Sequence, residues 1–155
     1  MQFPCIVKPT DRSGSLGIIK VKHVDDLQDA VEKALSCSFK HEAVVEEFIE
    51  GREVSVEFIS FQGKHYPLQI TDKVTTGSPH FVELEHHQPA KLAQEQNVKL
   101  YDLTRNALDA LGVTNGASHS EYKIKDNGDV YVMEIGARMG GDFIGSDLIS
   151  RSEER

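Results

Sequence analysis

The sequence predicts an α+β protein made of two small lobes with antiparallel sheets. Three observations carry this. Strand-type segments outnumber helical ones, and two of their junctions, Gln62-Gly63 and Asn127-Gly128, are tight reverse-turn signals between alternating runs. Sustained helical spacing of apolar residues marks two long segments, one carrying Leu27, Ala30, Val31, Ala34 and Leu35, the other Leu92, Leu100, Leu103, Ala107 and Leu111. At 155 residues, 39% apolar and 27% charged, the chain can bury a globular core as one domain or two packed lobes.

The elements follow in order. Phe3 to Lys8 reads as a strand, Thr10 to Gly17 as a Gly/Ser loop, and Ile18 to Val21 as a second strand. A helix from Asp25 to Ser38 opens on Asp25 and Gln28, spaced as a capping box. Ala43 to Ile49 is a strand, and Glu50-Gly51 is a turn. Val54 to Phe61 and Lys64 to Lys73 form a hairpin, and Thr75 to Pro89 reads as irregular. Ala90 to Leu111 is the long helix, closed by Gly112. Gly116 to Lys125 and Val130 to Arg138 are strands, and a last helix starts at about Phe143. The expected division is a smaller lobe over 1–49 and a larger one over 50–155.

Composition excludes several function classes. The formal net charge of −8 argues against sequence-independent nucleic-acid binding, which needs a basic face. No apolar run approaches the roughly 20 residues of a membrane helix. Cys5 and Cys37 have neither metal nor redox spacing, and read as free thiols of a cytoplasmic protein. His80, His86 and His87 match no zinc motif. Both ends look like cuts: a buried-type strand begins at residue 3, and the last helix breaks off in Ser150–Arg155. A fragment or split gene product is therefore expected.

The turn at Asn127-Gly128 points to a metal site. A two-residue turn there sets Asp126 against Asp129, Lys123 against Val132, Glu121 against Glu134 and His119 against Gly136. Tyr122, Ile124, Tyr131, Met133 and Ile135 then fill the opposite, core-facing side. Two carboxylates directly opposed on neighbouring strands repel. A shared proton, a hard divalent cation such as Mg2+, or splaying into solvent with pairing to Lys123 each relieves that. A three-residue loop would shift the register and break the inference.

Four motifs in order resemble a known family. Ile6-Val7-Lys8-Pro9 followed by Ser13-Gly14-Ser15-Leu16-Gly17-Ile18 is similar to the strand–lysine–glycine-loop opening of the ATP-grasp nucleotide site. Val45-Glu46-Glu47-Phe48-Ile49-Glu50-Gly51-Arg52-Glu53-Val54 resembles its hinge and ribose segment. Ser120-Glu121 and Val132-Met133-Glu134-Ile135-Gly136-Ala137-Arg138 resemble its two metal-ligand strands. The resemblance covers nearly the whole chain and is to the D-alanine–D-alanine ligase branch. His119-Ser120-Glu121 and Pro79-His80-Phe81-Val82-Glu83-Leu84 are more similar to amino-acid and dipeptide ligases.

The resemblance implies an ATP-grasp fold with nucleotide held between the lobes. It implies an ATP- and Mg2+-dependent carboxylate–amine ligase, with Mn2+ as an alternative ion, working through an acyl phosphate. Lys8 and the loop residues Ser13, Gly14, Ser15 and Gly17 would meet phosphates, the loop acting as a lid. Glu46, Glu47, Phe48 and Ile49 would line adenine through the backbone, and Glu53 would accept from ribose hydroxyls. Glu121 and Glu134 would ligate the metal, and Arg138 and Lys8 would serve catalysis. His119, Lys73, Gly140 and Gly141 are candidate substrate contacts. Many relatives carry Asn where Gly136 stands, which puts a second metal in doubt. An N-terminal domain would be missing from this chain, and a homodimer is the common family state. The partners implied are a small carboxylate and an amine. A biotin-carboxylase- or purine-biosynthesis-type ATP-grasp enzyme, or a non-catalytic nucleotide-binding fragment, are the alternatives.

Overall fold

The computed structural model describes residues 2–149. They divide into two compact units: residues up to Ile49 with Thr75–Leu84, and Glu50–Val74 with the chain from Glu85 onward.

In the first unit, β1 (Cys5–Pro9) lies between β2 (Ile19–Val21) and β3 (Ala43–Glu47), antiparallel to both. Helix α1 (Leu27–Cys37) buries Ala30 and Ala34 against Cys5, Val7 and Val21, the stripe that helical spacing marks. The helix starts later than its pattern suggests. Val24–Asp26 form a 3-10 turn with no side-chain cap, and Gln28 Nε2 donates to Glu32 Oε1 (3.0 Å) instead of closing a capping box. At the other end the Asp11 carboxylate accepts from the Phe39 and Lys40 N–H groups (3.2 and 2.8 Å), tying the Gly/Ser loop to the helix exit. Both cysteines are free, Cys5 buried and Cys37 half-buried.

The second unit is built on most of a five-stranded sheet in the order β6-β5-β4-β7-β8, with β6 Glu83–His87, β5 Lys64–Thr75, β4 Arg52–Phe61, β7 Gly116–Ile124 and β8 Val130–Gly136, of which Thr75, Glu83 and Leu84 fall in the first unit. The Gln62-Gly63 hairpin has two loop residues, both at positive φ (51° and 73°), with Phe61 paired to Lys64. That is the primed geometry that matches strand twist. One face of the sheet packs Val54, Val56, Phe58, Ile70, Tyr122 and Ile124 against Leu100 and Leu108 of α2 (Gln94–Ala110). The segment expected to be irregular contains β6. Nearly every β6 residue is exposed, so no apolar alternation announces it. Helix α2 begins four residues after Ala90: the Ala90 N–H donates to Ile70 O of the sheet (2.8 Å), and the backbone is still extended at Ala93.

The β7–β8 turn is not the two-residue type. Lys125 N–H donates to Asp129 O and Gly128 N–H to Lys125 O (both 2.8 Å), with Gly128 at φ 85°. This is a three-residue loop closed by a left-handed glycine. Lys123 therefore faces Tyr131 instead of Val132, and Ile124 faces Val130. Val130 takes the core-side place expected of Tyr131, whose ring lies under the Lys125 ammonium at 4.6 Å. A bulge between Glu121 and Tyr122 then absorbs Met133 as an extra residue and resets the ladder. Beyond it Glu121 faces Glu134 and His119 faces Gly136, as the sequence suggests. After β8 a single π-helical turn, Ile144–Leu148, stands where a helix is expected. Ser150–Arg155 lie outside the described residues.

Candidate functional site

The polar face of the second unit's sheet follows from strand alternation. With Val54, Val56 and Phe58 in the core, Glu53, Ser55 and Glu57 of β4 must point the other way. The register lines them up in rows: Glu53 with Lys73 and Lys123, Ser55 with Thr71 and Glu121, Glu57 with His119. Glu134 extends the middle row onto β8.

These rows form one charge network. Lys73 Nζ donates to Glu121 Oε1 at 2.7 Å and lies 3.6 Å from Glu53 Oε1. Lys123 Nζ meets Glu53 Oε2 at 2.8 Å. His119 Nε2 is 3.1 Å from Glu121 Oε1, and His119 Nδ1 makes a short hydrogen bond with Glu57 Oε1. Glu57 Oε2 accepts from the Gly140 N–H at 3.3 Å. Lys73, Glu57 and His119 are all buried.

Burial alone would lower the His119 pKa, but its hydrogen bonds to Glu121 and Glu57, with both their charges, raise it to about 9. Burial alone would raise Glu121, but the His119 hydrogen bond and the Lys73 ammonium lower it to about 2. The alternatives left by the sequence narrow accordingly. Lys123 pairs with Glu53, and Lys73 and His119 are the cations beside Glu121 among the described residues.

The donor chemistry fits a hard divalent ion. Glu121 commits Oε1 to Lys73 and His119, while Glu134, on the facing strand, is exposed and forms no ion pair or hydrogen bond among the described residues. In the same row the buried Ser55 hydroxyl has no hydrogen-bond partner among the described residues. Arg138 is exposed, donates to Met139 O at 2.9 Å and forms no ion pair among the described residues. Gly136 leaves the position opposite His119 without a side chain. Gly140 lies against Glu57 and His119, while a side chain at Gly141 would meet open space.

In the first unit, Lys8 Nζ pairs with Glu46 Oε2 at 2.8 Å across β1 and β3. Gly14, Ser15 and Gly17 all have positive φ (63°, 57° and 81°), the left-handed conformation of tight turns that glycine adopts most easily. The Ser15 hydroxyl donates to Phe81 O (3.0 Å), and the Ser13 carbonyl accepts from Leu16 N–H (3.4 Å). A Cβ on Gly17 would lie 3.0 Å from Cys37 Cβ. Glu47 ends β3, Phe48 stacks under the Lys20 ammonium at 3.5 Å, and Ile49 is buried.

The description of the ATP-grasp domain family matches residues 1–147. The chain belongs to the ATP-grasp family. Its sequence is 27% identical over 160 residues to an alanine–anticapsin ligase of Bacillus subtilis (strain 168), covering 89% of this chain and 34% of that protein. It is 32% identical over 139 residues to a D-alanine–D-alanine ligase of Flavobacterium johnsoniae, covering 86% of this chain and 42% of that one. An L-amino acid ligase from Bacillus licheniformis superposes with a TM-score of 0.82 at 30% identity, over 97% of this chain and 35% of the other. This ATP-grasp chain thus spans between a third and a half of the length of these proteins. No helix among its described residues is long and apolar enough to cross a membrane.

Sequence reasoning missed one member of this ATP-grasp network, Glu57. No short turn links β4 to β7, so nothing local set their register. The alternation Glu53-Val54-Ser55-Val56-Glu57-Phe58 did carry the signal, since it puts Glu57 on the face of Glu53.

Proposed function

We propose that this chain is the nucleotide- and metal-binding part of a carboxylate–amine ligase acting on amino acids. The observation that carries the reading is Glu121 opposite Glu134 on neighbouring strands, with Lys73 and His119 holding Glu121 ionised. Glu121 and Glu134 would hold Mg2+ or Mn2+, which when bound neutralises charge on the ATP phosphates. Lys8 and the loop Ser13-Gly14-Ser15-Leu16-Gly17 supply a point charge and backbone N–H donors for the phosphates. Glu46, Glu47, Phe48 and Ile49 are assigned to adenine and Glu53 to ribose.

The chemistry assigned to the whole protein balances in two steps. A substrate carboxylate oxygen attacks the γ-phosphorus of ATP, giving an acyl phosphate and ADP. An amine then attacks the acyl carbon, and inorganic phosphate leaves. Arg138, a planar cation with no ion pair of its own among the described residues, is assigned to the charge that develops on the transferring groups. Gly140 and Gly141 follow it and are assigned to the substrate side, and the same reading makes the protein cytoplasmic and commonly homodimeric. The amino-acid assignment is supported by the names of three similar proteins, an alanine–anticapsin ligase, a D-alanine–D-alanine ligase and an L-amino acid ligase.

Thermal unfolding with Mg-ATP tests the binding half. Ligand at about 100 times its Kd adds roughly 2.7 kcal/mol of stability, so the melting temperature must rise. Glu121→Gln and Glu134→Gln are expected to abolish the Mg2+-dependent part of that rise. A melting temperature indifferent to millimolar Mg-ATP sinks the assignment. In the whole protein, hydroxylamine is expected to trap an amino-acyl hydroxamate only when ATP is present.

A further inference from the structure

We propose that Glu57 is a positioning residue that sets the metal-side carboxylate Glu121 and the strap following Arg138 against a single buried anchor. The proposal rests on the reading of Glu121 and Glu134 as metal ligands. Glu57 touches neither the expected ion nor a substrate. It acts through its two oxygens, each committed to a different element.

Oε1 binds His119 Nδ1, and the other ring nitrogen, Nε2, reaches Glu121 Oε1 at 3.1 Å. An imidazole gripped at both nitrogens cannot rotate, so the position of Glu121 Oε1 is referred back to Glu57. Oε2 accepts from Gly140 N–H at 3.3 Å, two residues after Arg138. Gly140 is explained by the same contact: a Cβ there would lie 2.9 Å from Glu57 Oε1 and 3.0 Å from His119 Nδ1. Only a bare backbone comes close enough to donate.

Stability alone does not account for this carboxylate. Glu57 is 1% exposed, and burying an ion costs several kcal/mol before its partners recover any of it. An apolar residue of similar volume would fill the place at no such cost. What the apolar residue could not do is accept two hydrogen bonds from two elements that must stay in fixed relation.

Glu57→Gln tests this while preserving volume. A carboxamide has only one acceptor oxygen: if that oxygen keeps His119, the Gly140 N–H loses its acceptor, and if it keeps Gly140, the NH2 group faces His119 Nδ1 and can hold the ring only as the neutral imidazole. Mn2+ affinity in the presence of ATP is read by electron paramagnetic resonance, and the Gly140 amide by NMR. The expected result is a loss of Mn2+ affinity of about 10- to 100-fold, with a displaced Gly140 amide signal. Thr104→Val, on the opposite face of the sheet, serves as a control that lowers stability without touching the network, and its Mn2+ affinity is expected to match wild type. Three outcomes overturn the proposal. If Glu57→Gln binds Mn2+ within twofold of wild type while Glu121→Gln does not bind, Glu57 is structural and the metal reading survives. If Thr104→Val loses affinity as much as Glu57→Gln, the effect is one of global stability. If wild type binds no Mn2+, or Glu121→Gln binds as well as wild type, the metal reading falls and takes this proposal with it.

Discussion

Raising the pH should destabilise this chain through His119. In the folded state the imidazole is held at about 9, against an ordinary value of 6.5, because Glu121 and Glu57 both favour the imidazolium. The folded state therefore keeps a proton that the unfolded state has released over that interval. Stability is fully present below about pH 6.5 and is lost as pH climbs through 9, since the folded state binds more protons there. The interval of 6.5 to about 9, at about 1.4 kcal/mol per pH unit, corresponds to roughly 3 kcal/mol. The side chain is only 6% exposed, so solvent screening removes little of this. The lowering of Glu121 contains the same hydrogen bond, so the two effects must not be added. Urea unfolding in chelator, at steps from pH 6 to 9.5, reads the slope. His119→Gln should be less stable than wild type at pH 6.5 and should show no such fall. A His119 ring signal that titrates at or below 6.5 by NMR, or a wild-type stability flat across the interval, refutes the reasoning.

Two further outcomes bear on the sheet that carries the site. The Thr104 hydroxyl, fully buried, donates to Leu100 O (2.8 Å) and accepts from the Tyr122 hydroxyl (2.7 Å). Thr104→Val strips a buried phenol of that partner and should cost about 1–3 kcal/mol, while Tyr122→Phe, which leaves Thr104 bonded to Leu100, should cost about 1. Equal losses in urea unfolding would contradict this. Gly51→Ala places a Cβ 2.4 Å from the Ile124 carbonyl oxygen, a backbone atom in a strand that cannot easily move. It should cost about 2 kcal/mol or more, against about 1 for Gly63→Ala, where the space is open and only the positive φ of 73° opposes the side chain. The reverse order would show that the β4–β7 junction yields.

Much of this architecture was legible because it is local. The Gln62-Gly63 hairpin, the α1 stripe and the core alternation of β4 each follow from neighbours within a few residues. What was not legible depends on partners distant in sequence. β6 is a strand because β5 offers it an edge, not because Glu83-Leu84-Glu85-His86-His87 alternates. Helix α2 starts only after a segment that the Ala90–Ile70 hydrogen bond ties to a strand some twenty residues earlier and that is still extended at Ala93. Glu57 enters the site through the β4–β7 register, which no turn sets. Lys73, implied by the resemblance as a candidate substrate contact, is instead seen as the buried cation that pairs with Glu121 across the β4 strand between them.

The Glu121–Glu134 pair shows how a correct expectation can rest on an incorrect step. Counting from a two-residue turn leads to this pair, but the loop has three residues, and every pair near the hairpin is displaced by one. Had the ladder continued undisturbed, Glu121 would have met Met133, and Glu134 would have turned to the core face beside Tyr122. The bulge at Met133 prevents that by using up one residue of β8. It falls between two fixed pairs: the hairpin end keeps Val130 and Ile124 together in the core, and the far end keeps the two carboxylates together on the polar side. The core gains from the same reset, since Ile135 beyond the bulge packs on the core face together with Val130. The odd loop length and the extra residue are therefore two halves of one constraint: the first displaces the pairing by one residue and the second restores it.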